Sequence, residues 1–183
     1  MNELVHGKFG IGAPVRRKED DALVTGRGRY TDDVQPEGAL RAYVLRSSVA
    51  HARITLGDLE PARTAPGVAM VMTAADIPDL GPMPTKTVMT QSDGTRHAVP
   101  PRPVLATDTV RHVGEPIALV VADTLANAKS AAELIDVDYE PLDAVIETGD
   151  ALTPGAPLVW PQSGSNLAFV YDAGDAAATD RAF

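Results

Sequence analysis

The chain has 183 residues, 44% hydrophobic but only 4% aromatic, so it can bury one ordinary core, and Val, Leu, Ile and Ala must fill it. It has no cysteine, which excludes a disulfide, a cysteine-ligated iron–sulfur cluster and a thiolate zinc site built from this chain. The net charge of -9 is uneven, with nine Lys/Arg against nine Asp/Glu in residues 1–60 and seven against sixteen in residues 61–183, so the later part would repel a phosphate backbone and nucleic-acid binding is disfavoured.

Residues 1–11 show no sustained period and are expected to be a tail. The start lacks the basic end and apolar segment of a secretion signal, and no run approaches the length of a bilayer span, so a cytoplasmic protein without a membrane span is expected. Residues 11–33 are charged and glycine-punctuated around Ala22, Leu23 and Val24, which reads as an ordered arm. Its GRGR sequence, Gly26 to Arg29, invites comparison with a phosphate loop. Tyr30, Thr31, Asp32 and Asp33 follow where a helix start is needed, so a structural turn is the better reading.

Strands are expected over residues 40–46 and 53–56. Ser47, Ser48 and His51 lie between them; they contain a nucleophile and a base but no identifiable acid, and hydrogen bonds that stabilise a turn are the simpler role. Asp58 is placed to cap a short helix through Ala65, which Pro66 and Gly67 end. Residues 68–72 form a further apolar strand, and Thr73-Ala74-Ala75-Asp76 has the spacing of a capping box with Asp in place of Glu. Residues 78–103 are dense in Pro, Gly, Thr and polar residues, the composition of a long functional or partner-facing loop.

Residues 117–122 are an unbroken, β-branched apolar run, expected to be a central strand buried on both faces. Asp123 and Thr124 offer oxygens to a helix start; Leu125, Ala128, Ala132 and Ile135 recur at helical spacing, and the alanines would let the helix lie close on the strand. Ile135, Val137 and Tyr139 then alternate with Asp136, Asp138 and Glu140, as in a half-buried strand. Strand, helix, strand is thus the expected organising unit. The three acids would share one strand face, where a solvated edge is a simpler reading than a cation site. Residues 150–174 alternate turn residues with short apolar pieces and read as an extended strap, and the last residues read as the first turns of a helix, suggesting a chain cut from something longer.

No complete catalytic set emerges. His6, His51, His97 and His112 are scattered without metal-binding spacing, and no catalytic, cofactor-binding or metal-ligating residue is assigned.

Taken together, VRRKEDDALVTGRGRYTDD, LRSSVAHARI, PGVAMVMTAADI, VLATDTVRHVGEPIALVVAD and VDYEPL resemble the large subunit of the molybdenum hydroxylases, the aldehyde oxidase, xanthine dehydrogenase and carbon monoxide dehydrogenase family. The match covers residues 12–183 in family order. The resemblance implies an α+β fold, an α/β hammerhead domain over residues 12–150 with a mixed sheet and a few packed helices. Residues 151–183 would be a strap and the start of a truncated molybdenum-cofactor domain. The family's catalytic glutamate and pterin-binding loops lie downstream, so no catalytic residue carries over and the fragment is expected to hold no cofactor and to be inactive alone.

In the complete enzyme the resemblance implies molybdenum on molybdopterin of the cytosine dinucleotide type, with 2Fe-2S clusters and FAD on partner subunits. RRKEDDALVTGRGRY and VRHVGEP resemble the carbon monoxide dehydrogenase branch most. The expected role is scaffold and docking toward the rest of the large subunit and the iron–sulfur and flavin subunits. Candidate interface residues are Arg16, Arg17, Arg27, Arg29 and Tyr30 on the arm, and Gly114, Glu115 and Pro116 before the central strand. A free-standing accessory or assembly protein using the same surfaces is the alternative, and a hydrolase built on Ser47, Ser48 and His51 a third reading.

Overall fold

The computed structural model describes residues 17–86 and 90–183. The tail and Arg16 lie outside the described residues. The chain divides into two compact units, Met1–Ala39 and Leu40–Phe183.

In the first unit, helix α1 spans Asp20–Val24 and a single 3-10 turn spans Thr31–Asp33. None of its described residues is buried, so the arm is ordered by local hydrogen bonds rather than by a core of its own.

Among its described residues the second unit contains six strands: β1 Arg41–Arg46, β2 Ala52–Leu56, β3 Val68–Thr73, β4 Thr109–Val110, β5 Pro116–Ala122 and β6 Val137–Pro141. Helices α2 Glu60–Arg63, α3 Leu125–Ala132 and α4 Ala176–Ala182 complete it, with 3-10 turns between. The strands form two three-stranded sheets, ordered β1-β5-β3 and β4-β2-β6.

β5 is central, as its apolar run predicts. Val120 pairs with Tyr43 on one side and Val71 on the other. Ala118, Val120 and Ala122 point to α3, whose Ala128, Ala131 and Ala132 are buried against them; together with Ala62, Val71 and Ile135 they make the first core. Alanine on both surfaces brings the helix backbone close to the sheet, and it is also the best intrinsic helix former. Thr124 starts α3 by accepting from the Asn127 amide at 3.1 Å, the cap its hydroxyl suggested.

Three expectations need correction. First, β5 is not buried on both faces: Leu119 and Val121 on its other face are only half-buried, and Ile117 alone on that side reaches a fully dry environment. Second, the strand after α3 does not join β5. Both edges of β5 are already occupied by β1 and β3, so β6 pairs with β2, Ile54 opposite Tyr139, in the other sheet. Third, the expected mixed sheet is two sheets whose described strand pairs are all antiparallel. Leu125, read as part of the inner helix face, is 45% exposed.

The second core holds Ala52, Ile54, Ala106, Val110 and Ile117, with Leu56 and Val137 packed against both cores. Ile117 therefore ties the two sheets together, since its backbone belongs to one and its side chain to the core of the other.

Short elements follow their predicted punctuation. The Glu60 amide donates to Asp58 Oδ1 at 3.0 Å at the start of α2. After β3, the Thr73 amide and hydroxyl donate to Asp76 Oδ2 at 2.7 and 2.9 Å, closing the capping box read from TAAD. Gly67, at φ +75°, turns the chain into β3, and its carbonyl accepts from the Asp123 amide at 2.9 Å.

Candidate docking interface

On the arm, the GRGR sequence closes α1. Gly26 takes φ +69°, and the Arg27 amide reaches back to the Ala22 carbonyl at 2.7 Å. Gly28 lies against Leu23, where an added Cβ would fall 2.6 Å from Leu23 Cδ2. Both glycines thus have structural reasons, one conformational and one steric, in line with the turn reading.

The arginines between them point elsewhere. Arg27 Nε donates to the Thr25 hydroxyl at 3.1 Å, and both Arg27 and Arg29 are exposed. Arg17 is spent locally, its Nε 3.0 Å from Asp20 Oδ1. Tyr30 donates its amide to Asp33 Oδ2 at 2.8 Å while the residue stays 67% exposed. Val24 and Val34 are exposed on the same unit. Arginine and tyrosine beside exposed apolar groups, on a segment with no buried residue, is the composition of a protein–protein contact surface.

The loop before β5 is built differently. Gly114, at φ +88°, donates its amide to the Ser47 carbonyl at 2.8 Å and accepts from Arg46 Nη1 at 2.9 Å. The Glu115 carbonyl accepts from the Ser47 amide at 2.9 Å, and the Pro116 carbonyl accepts from the Ala106 amide at 2.7 Å. The Glu115 carboxylate is buried, accepts from the Arg111 amide and lies 3.7 Å from His112 Nδ1. These three residues fasten the loop. It presents outward His112, read from the sequence as one of the scattered histidines, and Val113, which is 64% exposed.

Ser47 and His51 are used separately. Ser47 Oγ accepts from the Val49 amide and donates to its carbonyl, and His51 Nδ1 lies 2.7 Å from the Asp143 carbonyl. Turn-stabilising bonds are what the structure shows there. On β6, Glu140 sits 3.5 Å from Arg53 on an exposed face. Among the described residues no group of three or more His, Cys, Asp or Glu side chains converges as a metal site, and no described helix is long and apolar enough to cross a membrane.

Two carboxylates are held below their ordinary range by donors. For Asp76 the chief cause is the Thr73 amide, then its hydroxyl, with Arg63 adding to it at 3.8 Å. For Asp93 it is the Thr95 hydroxyl and then its amide. Each closes a turn.

Arg111 and Trp160 are a further pair that sequence reasoning missed. The guanidinium carbon lies 3.8 Å from the centre of the indole ring. The two residues are far apart in sequence, so no local pattern announces the contact.

Residues 25–143 match the family model described as the a/b hammerhead domain of aldehyde oxidase and xanthine dehydrogenase. The chain is 39% identical over 145 residues to the nicotine 6-hydroxylase large subunit of Paenarthrobacter nicotinovorans, an overlap covering 79% of this chain and 17% of that protein. Its fold is similar to that of quinoline 2-oxidoreductase from Pseudomonas putida 86, with TM-score 0.67 and 40% identity over 75% of this chain and 17% of that one. It is also similar to a Cu,Mo-CO dehydrogenase, with TM-score 0.67 and 34% identity over 94% of this chain and 22% of that one. The chain spans 17% to 21% of the length of the curated relatives it matches most strongly.

Proposed function

We propose that this chain, which belongs to the aldehyde oxidase and xanthine dehydrogenase family through its a/b hammerhead domain, serves as the scaffold and docking part of a molybdenum-dependent oxidoreductase large subunit. The observation that carries the reading is the contrast between its two units. Leu40–Phe183 closes two apolar cores, whereas the described part of the arm buries nothing and presents Arg27, Arg29 and Tyr30 outward. A segment held by local hydrogen bonds without a core leaves its side chains free to pack against a partner.

The proposed partners are the remainder of the large subunit and separate iron–sulfur and flavin subunits carrying 2Fe-2S clusters and FAD. The molybdenum would be held on molybdopterin of the cytosine dinucleotide type, in a cytoplasmic enzyme that hydroxylates an aldehyde or heteroaromatic carbon or oxidises CO. No chemical step is assigned to the described residues. Their part is to fix the geometry of the assembly.

The reading is tested by replacing Arg27 and Arg29 together with Ala in the large subunit and measuring assembly with its partners by analytical ultracentrifugation. Expected is assembly weakened by tenfold or more while the melting temperature of the 183-residue chain moves by less than about 2 °C. A fall in melting temperature with assembly intact would place these arginines in the fold instead. The isolated chain is expected to retain no stoichiometric molybdenum and to reduce no dye with aldehyde or heterocycle. Either activity would refute the scaffold role.

A further inference from the structure

Trp160, the one tryptophan of the chain, borders two cavities of the Leu40–Phe183 unit. One, of about 330 Å³, it shares with Val159, Asn166 and Leu167. The other is a groove of about 800 Å³ that it shares with Leu80, Pro103 and Arg111. Arg111 and Val159 also line a third, smaller space beside His112. The Arg111–Trp160 stack is therefore part of the wall between these spaces.

The segment that carries Trp160 is tied to itself. Asn166 Oδ1 accepts from the Val159 amide at 2.9 Å, and its Nδ2 donates to the Ala151 and Pro157 carbonyls at 3.0 and 2.9 Å. Residues 151–166 thus form one body. Among the described residues, the hydrogen bonds of residues 144–168 stay within the segment. Its flanking anchors are Leu142, bonded to the His51 carbonyl at 3.0 Å, and Val170, bonded to Gln91 Oε1 at 3.2 Å. Beside those anchors His51 Nδ1 lies 2.7 Å from the Asp143 carbonyl and the His97 ring lies 6.0 Å from that of Phe169. Within residues 151–166 the polar contact that reaches the sheet-bearing part of the unit is the stack on Arg111.

That stack is held against a cost. Arg111 Nη1 donates to the Thr109 carbonyl at 3.0 Å, but Nε is buried with no hydrogen-bond partner. A guanidinium nitrogen left dry and unpaired loses about as much as a cation over a half-buried indole gains. An orphaned donor of this kind calls for a structural explanation. We infer that Arg111 and Trp160 form a latch, and that residues 151–166 swing as a body between this closed arrangement and an open one. In the open state water reaches Arg111 Nε, and the groove and the cavity beside Trp160 become continuous. The unpaired Nε offsets part of the attraction of the stack, so both states are populated.

The test uses the full 183-residue chain with its tryptophan replaced biosynthetically by 5-fluorotryptophan, which yields one fluorine resonance per state. Expected are two resonances, or one exchange-broadened line that splits on cooling, together with acrylamide quenching that divides the fluorescence into protected and accessible fractions. Arg111→Ala should leave one resonance, at the accessible position, and raise quenching at least threefold. A single narrow wild-type line at every temperature would overturn the latch, and that measurement needs no variant to fold. So would an Arg111→Ala protein that quenches like the wild type.

Discussion

Replacing Ile117 with Ala should loosen the sheet containing β2, β4 and β6 before it affects β1 and β3, although Ile117 itself is a β5 residue. Its side chain is fully buried and packs with Ala52, Ile54, Ala106 and Val110. Removing the methyl and ethyl groups beyond Cβ forfeits about 2.4 kcal/mol of transfer free energy at about 0.8 kcal/mol per buried carbon. A cavity left between two sheets, whose backbones are held by their own ladders, collapses incompletely, which brings the total to about 3–4 kcal/mol. That is a large part of the stability of a domain this size. Urea unfolding should show a lower midpoint at unchanged slope, and Ile117→Val should cost only about 1 kcal/mol. Amide exchange separates this from general weakening. Under native conditions the Ile54 and Tyr139 amides should exchange faster by a larger factor than those of Tyr43 and Val71. A loss below about 1 kcal/mol, or equal acceleration in both sheets, would refute the assignment of Ile117 as the tie between cores.

The capping carboxylate Asp76 supplies a pH test. Its folded pKa lies below 3.8, chiefly through the Thr73 amide, so its stabilisation is fully present above the ordinary carboxylate pKa and is lost as pH falls through the folded value. Asp76→Asn should flatten the acid side of the urea-midpoint profile below about pH 4 and lower stability modestly at neutral pH. An unchanged acid limb would contradict this. Gly67→Ala should cost well over 1 kcal/mol by thermal melting, because φ is +75° and the new Cβ would lie 2.3 Å from Asp123 Oδ1. Gly94→Ala, at φ +82° with open space around it, should show the conformational penalty alone, and equal losses at the two sites would sink the steric part of the argument.

Local readings from the sequence succeeded where neighbouring residues satisfy one another. Thr124 caps α3, Thr73 and Asp76 close a box, and Asp58 starts α2, all through bonds spanning four residues or fewer. The uniform apolar run of β5 also announced its central place, because a strand with neighbours on both edges and a helix on one face has little use for polar groups. The interface candidates divide in the same way. The exposure of Arg27, Arg29 and Tyr30 accords with a charged, coreless arm, whereas the inward turn of the Glu115 carboxylate depends on the backbone of Arg111 and could not be read from GEP alone.

By itself the sequence determined strands β1, β2, β3, β5 and β6, helices α2, α3 and α4, the caps at Asp58, Thr73–Asp76 and Thr124, the absence of thiol chemistry and the hammerhead resemblance. These rest on periodicity, short-range hydrogen bonds and composition, which act within a few residues. Tertiary structure alone decided that β6 crosses to the second sheet, that Ile117 serves the other sheet's core, and that Arg111 stacks on Trp160. An alternating strand pattern specifies which face is dry but not which neighbour supplies its hydrogen bonds. That choice depends on which edges are vacant once β1 and β3 have flanked β5, and it exists only in the folded chain.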